Sequence, residues 1–300
     1  MNPADRSRVL TEQRHPGTRG LHAGSVRDCV RLITAEDAQV HEAMRRAEDA
    51  LARLIEAIEP GFVRGGRLIY VGAGTSGRLG VLDAAEAPPT FDVEPGRVVG
   101  VIAGGEASLR RSSEGAEDDP AGAVPALEAL APIALDAVVG IAAGGTTPYV
   151  LGALDWAAAL RPAPVVGLIA CTPMTAPPGV EHLVILETGP EVLTGSTRMK
   201  AGTATKLALN TLSTTLMVRS GRIYENLMVD LRATNGKLRD RGARIIAELT
   251  GLDRPASLAL LERAGGRVKT AVAMAWRSID RDAAERLLSA HDGRLERVRD

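Results

Sequence analysis

Five short apolar runs, spaced by turns and by segments of helical character, constrain this chain more than any other feature. They are Arg67-Leu-Ile-Tyr-Val71, Val98-Val-Gly-Val-Ile102, Ala137-Val-Val-Gly-Ile-Ala142, Val165-Val-Gly-Leu-Ile-Ala170 and Leu183-Val-Ile-Leu186. Runs of this kind that alternate with helices are the strands of a parallel sheet joined by crossovers. The expected fold class is therefore α/β, a doubly wound, mostly parallel five-stranded sheet with N-terminal helices and a C-terminal helical subdomain. The link from Cys171 to Glu181 is Pro-rich and too short for a full crossover helix, which leaves the pairing of the last strand open and makes it a candidate edge.

Around that sheet the sequence divides into an arm and helix over 1–60, the sheet domain over 61–220 and a helical region over 221–300. Up to about Gly20 the chain is polar and spotted with Pro and Gly, like an irregular lead-in. A helix is expected to start near Thr34, where Thr34-Ala-Glu-Asp37 resembles a capping box and apolar residues recur from Val40 to Ile58. Pro60 and Gly61 should stop it. After Thr197 helical character dominates, with one helix over 199–219, another over 227–247 and three short ones over 253–288.

The 300 residues, 45% of them hydrophobic, suffice for a large core. With 36 basic and 37 acidic residues the net charge is −1, so no global field draws nucleic acid or an anionic membrane, and an anionic ligand has to be caught locally. Neither is expected as a partner. Cys29 and Cys171 lack metal-ligand spacing and suit a reducing compartment, and the polar amino terminus shows no secretory signal, so the expected location is the cytoplasm. The uncharged stretches 137–154 and 162–180 are interrupted by Gly, Thr and Pro and read as buried strands with their loops rather than membrane helices.

The chemistry concentrates in three turns. Gly72-Ala-Gly74-Thr75-Ser76-Gly77-Arg78 follows the first strand directly, its glycines admitting a close ligand, its hydroxyls offering donors and the next helix presenting unpaired N–H groups to an anion. A phosphate fits there. The same Gly72-x-Gly74-x-x-Gly77 spacing occurs in dinucleotide sites, but those expect an acidic residue about twenty positions on, whereas here the second strand ends in Ala103-Gly104-Gly105-Glu106, about thirty positions on. The second turn is Gly144-Gly145-Thr146-Thr147-Pro148, the third Thr194-Gly195-Ser196-Thr197-Arg198. Each alone could be a plain helix cap. Three beyond the carboxyl ends of one sheet point to a hydroxyl-lined pocket for a sugar phosphate, with Gly74, Thr75, Ser76, Gly77, Gly145, Thr146, Thr147, Ser196 and Thr197 as its binding residues.

Together the turns resemble the sugar isomerase domain. Longer runs narrow the likeness: Leu68 to Pro89, Ile102-Ala-Gly-Gly-Glu106, Glu114-Gly-Ala-Glu117-Asp118, Leu193 to Thr203, Thr11-Glu-Gln-Arg14, Asn226 to Asp230 with Ala233-Thr-Asn235, and Val268-Lys-Thr-Ala271. They are similar to the N-acetylmuramic acid 6-phosphate etherase family over nearly the whole chain. The family usually carries Ser and Arg where this chain has Gly144 and Thr146, and Asn where it has His15.

The resemblance implies a carbon-oxygen lyase of cell-wall amino sugar recycling that releases D-lactate from a phosphosugar, works as a homodimer and needs neither cofactor nor metal. It also implies that Glu86 is the general acid and Glu117 a second carboxylate, for proton removal or for activating water. Read without it, Glu114, Glu117 and Asp118 are an acidic surface turn, and Arg198 and Lys200 are basic residues at a helix start. A non-catalytic phosphosugar sensor and an aldose-ketose isomerase remain alternatives. The carboxylate at Glu86 speaks against the sensor.

Overall fold

The computed structural model describes residues 6–7, 9–111 and 113–299, except the side chain of Glu114. Two compact units emerge, Met1–Ala85 with Gly96–Ser213, and Glu86–Pro95 with Thr214–Asp300.

The first unit holds the sheet. Strands β1 (Leu68–Gly72), β2 (Val98–Ile102), β3 (Ala137–Ile141), β4 (Val165–Ala170) and β5 (His182–Ile185) lie in the order β2-β1-β3-β4-β5, and every neighbouring pair is parallel. The fifth strand is an edge, joined to β4 without a crossover helix. Alternate side chains point to opposite faces. Ile69, Val71, Val138 and Val166 pack with Tyr149, Val150, Ala153 and Leu154 of helix α6 (Pro148–Ala159). On the other face the Tyr70 hydroxyl donates to Asp83 of helix α4 (Gly74–Phe91) at 3.0 Å. Both faces are covered, as a doubly wound sheet requires.

The amino-terminal segment departs from expectation. Three one-turn 3-10 helices cross the lead-in, and α1 (Val26–Glu36) starts eight residues before Thr34. Its capping box is Ser25 with Asp28, whose amide donates to the Ser25 hydroxyl while the Ser25 amide donates to the Asp28 carboxylate, both at 3.2 Å. Thr34 falls in the last turn of α1, and the chain turns at Asp37 and again at Ala47 to give α2 (Ala38–Arg46) and α3 (Glu48–Val63). Pro60 does not stop α3, which runs on to Val63.

Helices α5 (Val124–Leu130) and α7 (Lys200–Arg219) complete the set before the tail. In the second unit, α8 (Gly236–Thr250), α9 (Arg254–Arg263), α10 (Val268–Arg277) and α11 (Arg281–Ala290) enclose a core of Val229, Leu231, Ile246, Leu261, Val268 and Val272. The helix expected over 227–247 begins only at Gly236, where the Asn235 side chain accepts the Leu238 amide at 2.9 Å. Before it, Tyr224 and Leu227 exchange backbone hydrogen bonds in an antiparallel bridge. The Lys269 ammonium pins this segment, donating to the Gly221 and Gly293 carbonyls and pairing with Asp230 at 2.6 Å. Among the described residues no helix is long and apolar enough to cross a membrane.

Candidate active site

The first turn owes its shape to three glycines with different duties. A Cβ on Gly72 would lie 2.7 Å from the Gly77 nitrogen, and one on Gly77 would lie 2.7 Å from the Gly72 oxygen, so this pair lets the end of β1 and the start of α4 touch. Gly74 has φ of +51°, a left-handed conformation that favours glycine. The first amide of α4 to find a partner four residues back is Gly77, bonded to the Ala73 carbonyl at 3.1 Å. The amides of Gly74, Thr75 and Ser76 therefore point out of the helix end, where an anion is favoured.

Glu117 meets this turn from the chain between β2 and α5. Its carbonyl accepts the Tyr149 amide at 3.1 Å, which fastens it to the start of that helix. Its Oε1 lies 3.0 Å from the place a Cβ would occupy on Gly74. Any larger residue at Gly74 would crowd the carboxylate. Thr147 is the N-cap of α6 but its side chain makes no capping hydrogen bond.

These pieces enclose a cleft of about 190 Å³, lined by Ala73, Gly74, Thr75 and Ser76, by Glu117, by Ala143, Gly144, Thr146 and Thr147, by Thr197, and by Arg6, Val9 and Glu12. Of the expected site residues it thus gathers Gly74, Thr75, Ser76, Thr146, Thr147, Thr197 and Glu117. Gly77 lies behind it, packed on Gly72 and Ile102, and Gly145 forms its turn with φ of +70° and an amide bonded to the Ala142 carbonyl. Ser196 and Glu86 are not among the lining residues. Glu86 is exposed on α4, about ten residues and so about 15 Å along the axis from Ser76.

The arm is the part that motif reasoning missed. Arg6, Val9 and Glu12 reach the cleft from a stretch expected to be an irregular lead-in, although Thr11-Glu-Gln-Arg14 was one of the runs that carried the family likeness. Lys200 stays out of the cleft, its buried ammonium paired with Glu36 at 2.7 Å. Burial works against the Glu36 carboxylate, but Lys200 and then His15 outweigh it and hold its pKa below the ordinary value. Glu191 is fully buried, and its two oxygens accept the amides of Lys200 and Ala201 at 3.1 and 2.9 Å, capping α7 just past the Thr197 turn. Burial nevertheless leaves its pKa raised. Among the described residues no cluster of His, Cys, Asp and Glu is arranged to hold a metal ion.

The family described as "Glucokinase regulatory protein N-terminal SIS domain" matches residues 30–158. The solved phosphoheptose isomerase GmhA from Neisseria gonorrhoeae aligns with 64% of this chain and 98% of its own length, at 17% identity and a TM-score of 0.45. Similarity is far higher to proteins named N-acetylmuramic acid 6-phosphate etherase. That of Crocosphaera subtropica is 50% identical over 98% of this chain and 96% of its own, and that of Gloeobacter violaceus is 50% identical over 97% and 95%. Identity of this order along the whole length, rather than around one turn, settles the family: the chain belongs to the N-acetylmuramic acid 6-phosphate etherases.

Proposed function

We propose that this chain is a cytoplasmic, homodimeric carbon-oxygen lyase that cleaves the D-lactyl ether of N-acetylmuramic acid 6-phosphate. The observation that carries this is half identity to etherases of that name across nearly the full chain. The cleft supports it, since it sets a carboxylate beside an anion-binding helix start and a row of hydroxyls.

In the open-chain aldehyde the hydrogen on carbon 2 is acidic. A carboxylate removes it, the electron pair forms the bond between carbons 2 and 3, and the bond from carbon 3 to the lactate oxygen breaks. A carboxylic acid protonates that oxygen as it departs. Water then adds across the double bond, hydroxyl to carbon 3 and hydrogen to carbon 2, giving N-acetylglucosamine 6-phosphate and D-lactate. In this reading the amides of Gly74 to Ser76 and the hydroxyls of Thr75 and Ser76 take the phosphate. Glu117 acts as base or as activator of the water, and Glu86 is the acid.

Incubating the chain with N-acetylmuramic acid 6-phosphate and assaying free D-lactate tests the activity. Lactate should appear with an equal amount of N-acetylglucosamine 6-phosphate. Tight binding without lactate would leave a phosphosugar sensor in its place, and a ketose product without lactate an isomerase.

A further inference from the structure

We propose that Arg6, carried into the cleft by the amino-terminal arm, binds the lactyl carboxylate of the substrate and so separates substrate from product. The inference rests on the function proposed above and adds the residue that reads the group to be removed.

Charge makes the case. Among the described residues that line the cleft, Arg6 is the sole cation, and it shares the space with the carboxylates of Glu12 and Glu117. The substrate brings two anions on different carbons, a phosphate at one end and a lactyl carboxylate on the ether. The start of α4 can hold the phosphate with amides and hydroxyls, without a cation. The lactyl carboxylate would come to lie beside two like charges, Glu12 and Glu117, and without a counter-ion that would be costly. A guanidinium is suited to it because its planar fork donates two parallel hydrogen bonds to one carboxylate. N-acetylglucosamine 6-phosphate lacks that carboxylate, so the same contact discriminates between the two ends of the reaction.

The arm is fixed well enough to deliver the residue. The Thr11 amide donates to the Thr172 hydroxyl at 3.4 Å, and the Thr18 hydroxyl donates to the Val192 carbonyl at 2.8 Å. His15 Nε2 lies 3.2 Å from the Glu36 carboxylate that also holds Lys200. Val9 lies 3.5 Å from where a Cβ on Gly144 would sit, which lays the arm over the second turn. The Val9 amide, bonded to the Arg6 carbonyl at 2.9 Å, closes the turn that carries Arg6.

The test uses the alditols of substrate and product, N-acetylmuramitol 6-phosphate and N-acetylglucosaminitol 6-phosphate. Neither has the aldehyde that makes carbon 2 acidic, so neither eliminates during titration calorimetry. Arg6→Gln should weaken the muramitol by about 10- to 100-fold and the glucosaminitol by no more than about threefold. Arg6→Lys, which keeps the charge but not the fork, should fall between. Equal weakening of both ligands would place Arg6 on the phosphate or give it a structural role, and unchanged muramitol binding would take it out of recognition. Either result overturns the proposal. Lactate release by the unaltered protein is measured alongside. Its absence, with discrimination through Arg6 intact, would sink the proposed activity and leave the binding role standing.

Discussion

Ser76 reaches the cleft from the first turn of α4, where the amides before Gly77 have no partner within the helix. Its hydroxyl adds a donor where the helix already favours negative charge. Ser76→Ala should therefore weaken phosphorylated sugars by about tenfold while changing unphosphorylated analogues little, because only the phosphate loses a hydrogen bond. Calorimetry with matched ligands reads the difference, and equal losses would make the hydroxyl structural. Residues of this sort were legible in the sequence because the chemistry of a strand-to-helix turn is local. What spacing does not encode is direction. Ser196 and Thr197 are neighbours in one turn, yet only Thr197 lines the cleft, and Gly72, Gly74 and Gly77 share one motif but divide into a packing pair and a left-handed hinge. Arg6 and Glu12 were hidden for a stronger reason, since their place depends on where the arm folds back.

Strand starts are tied together at the end of the sheet away from the turns. Asp136, just ahead of β3, accepts the Arg67 amide at 2.7 Å, the Arg67 guanidinium at 2.6 Å and the Ile133 amide at 2.9 Å. Burial disfavours its charge, but Arg67 and the two amides outweigh that and hold its pKa below the ordinary value. A carboxylate with a lowered folded pKa contributes stability that is complete above the unfolded pKa of about 3.9 and is lost as pH falls through the folded value. Asp136→Asn should cost about 3 kcal/mol at neutral pH, and the gap to the unaltered protein should narrow below about pH 4. Urea unfolding at several pH values checks this, and a gap independent of pH would remove the ion pair from the account. The strands themselves were readable because each is an unbroken apolar run. Two helices were not. In α1 Val26, Cys29, Val30 and Ile33 recur at helical spacing although none of them is fully buried, and a capping-box look-alike at Thr34 drew the boundary away from Ser25. Between Leu227 and Leu231, alternation with Val229 carried the period of an extended segment, and Val229 and Leu231 are indeed core residues ahead of the α8 cap.

At the scale of the whole molecule the question is how Glu86, the proposed acid, meets the substrate. Helix α4 spans Gly74–Phe91, and Glu86 follows Ser76 in it by about ten residues. At 1.5 Å per residue that separation is about 15 Å of helix, more than a hexose phosphate spans. A two-fold homodimer offers a solution, because each chain would present Glu86 to the cleft of the other. Two defective chains test the idea. Glu86→Gln leaves the turn intact but removes the acid, and Ser76→Trp blocks the turn but leaves Glu86; each alone should release almost no lactate, the first by losing about 10² to 10⁴ in rate. In the mixed dimer one site combines the intact turn with the intact acid, and the other carries both defects. With random mixing half of the dimers are mixed and half of their sites work, so about a quarter of the full activity should return. Mixed dimers verified by differently tagged chains that still release no lactate would place Glu86 beside the cleft of its own chain, and the shared site would fall.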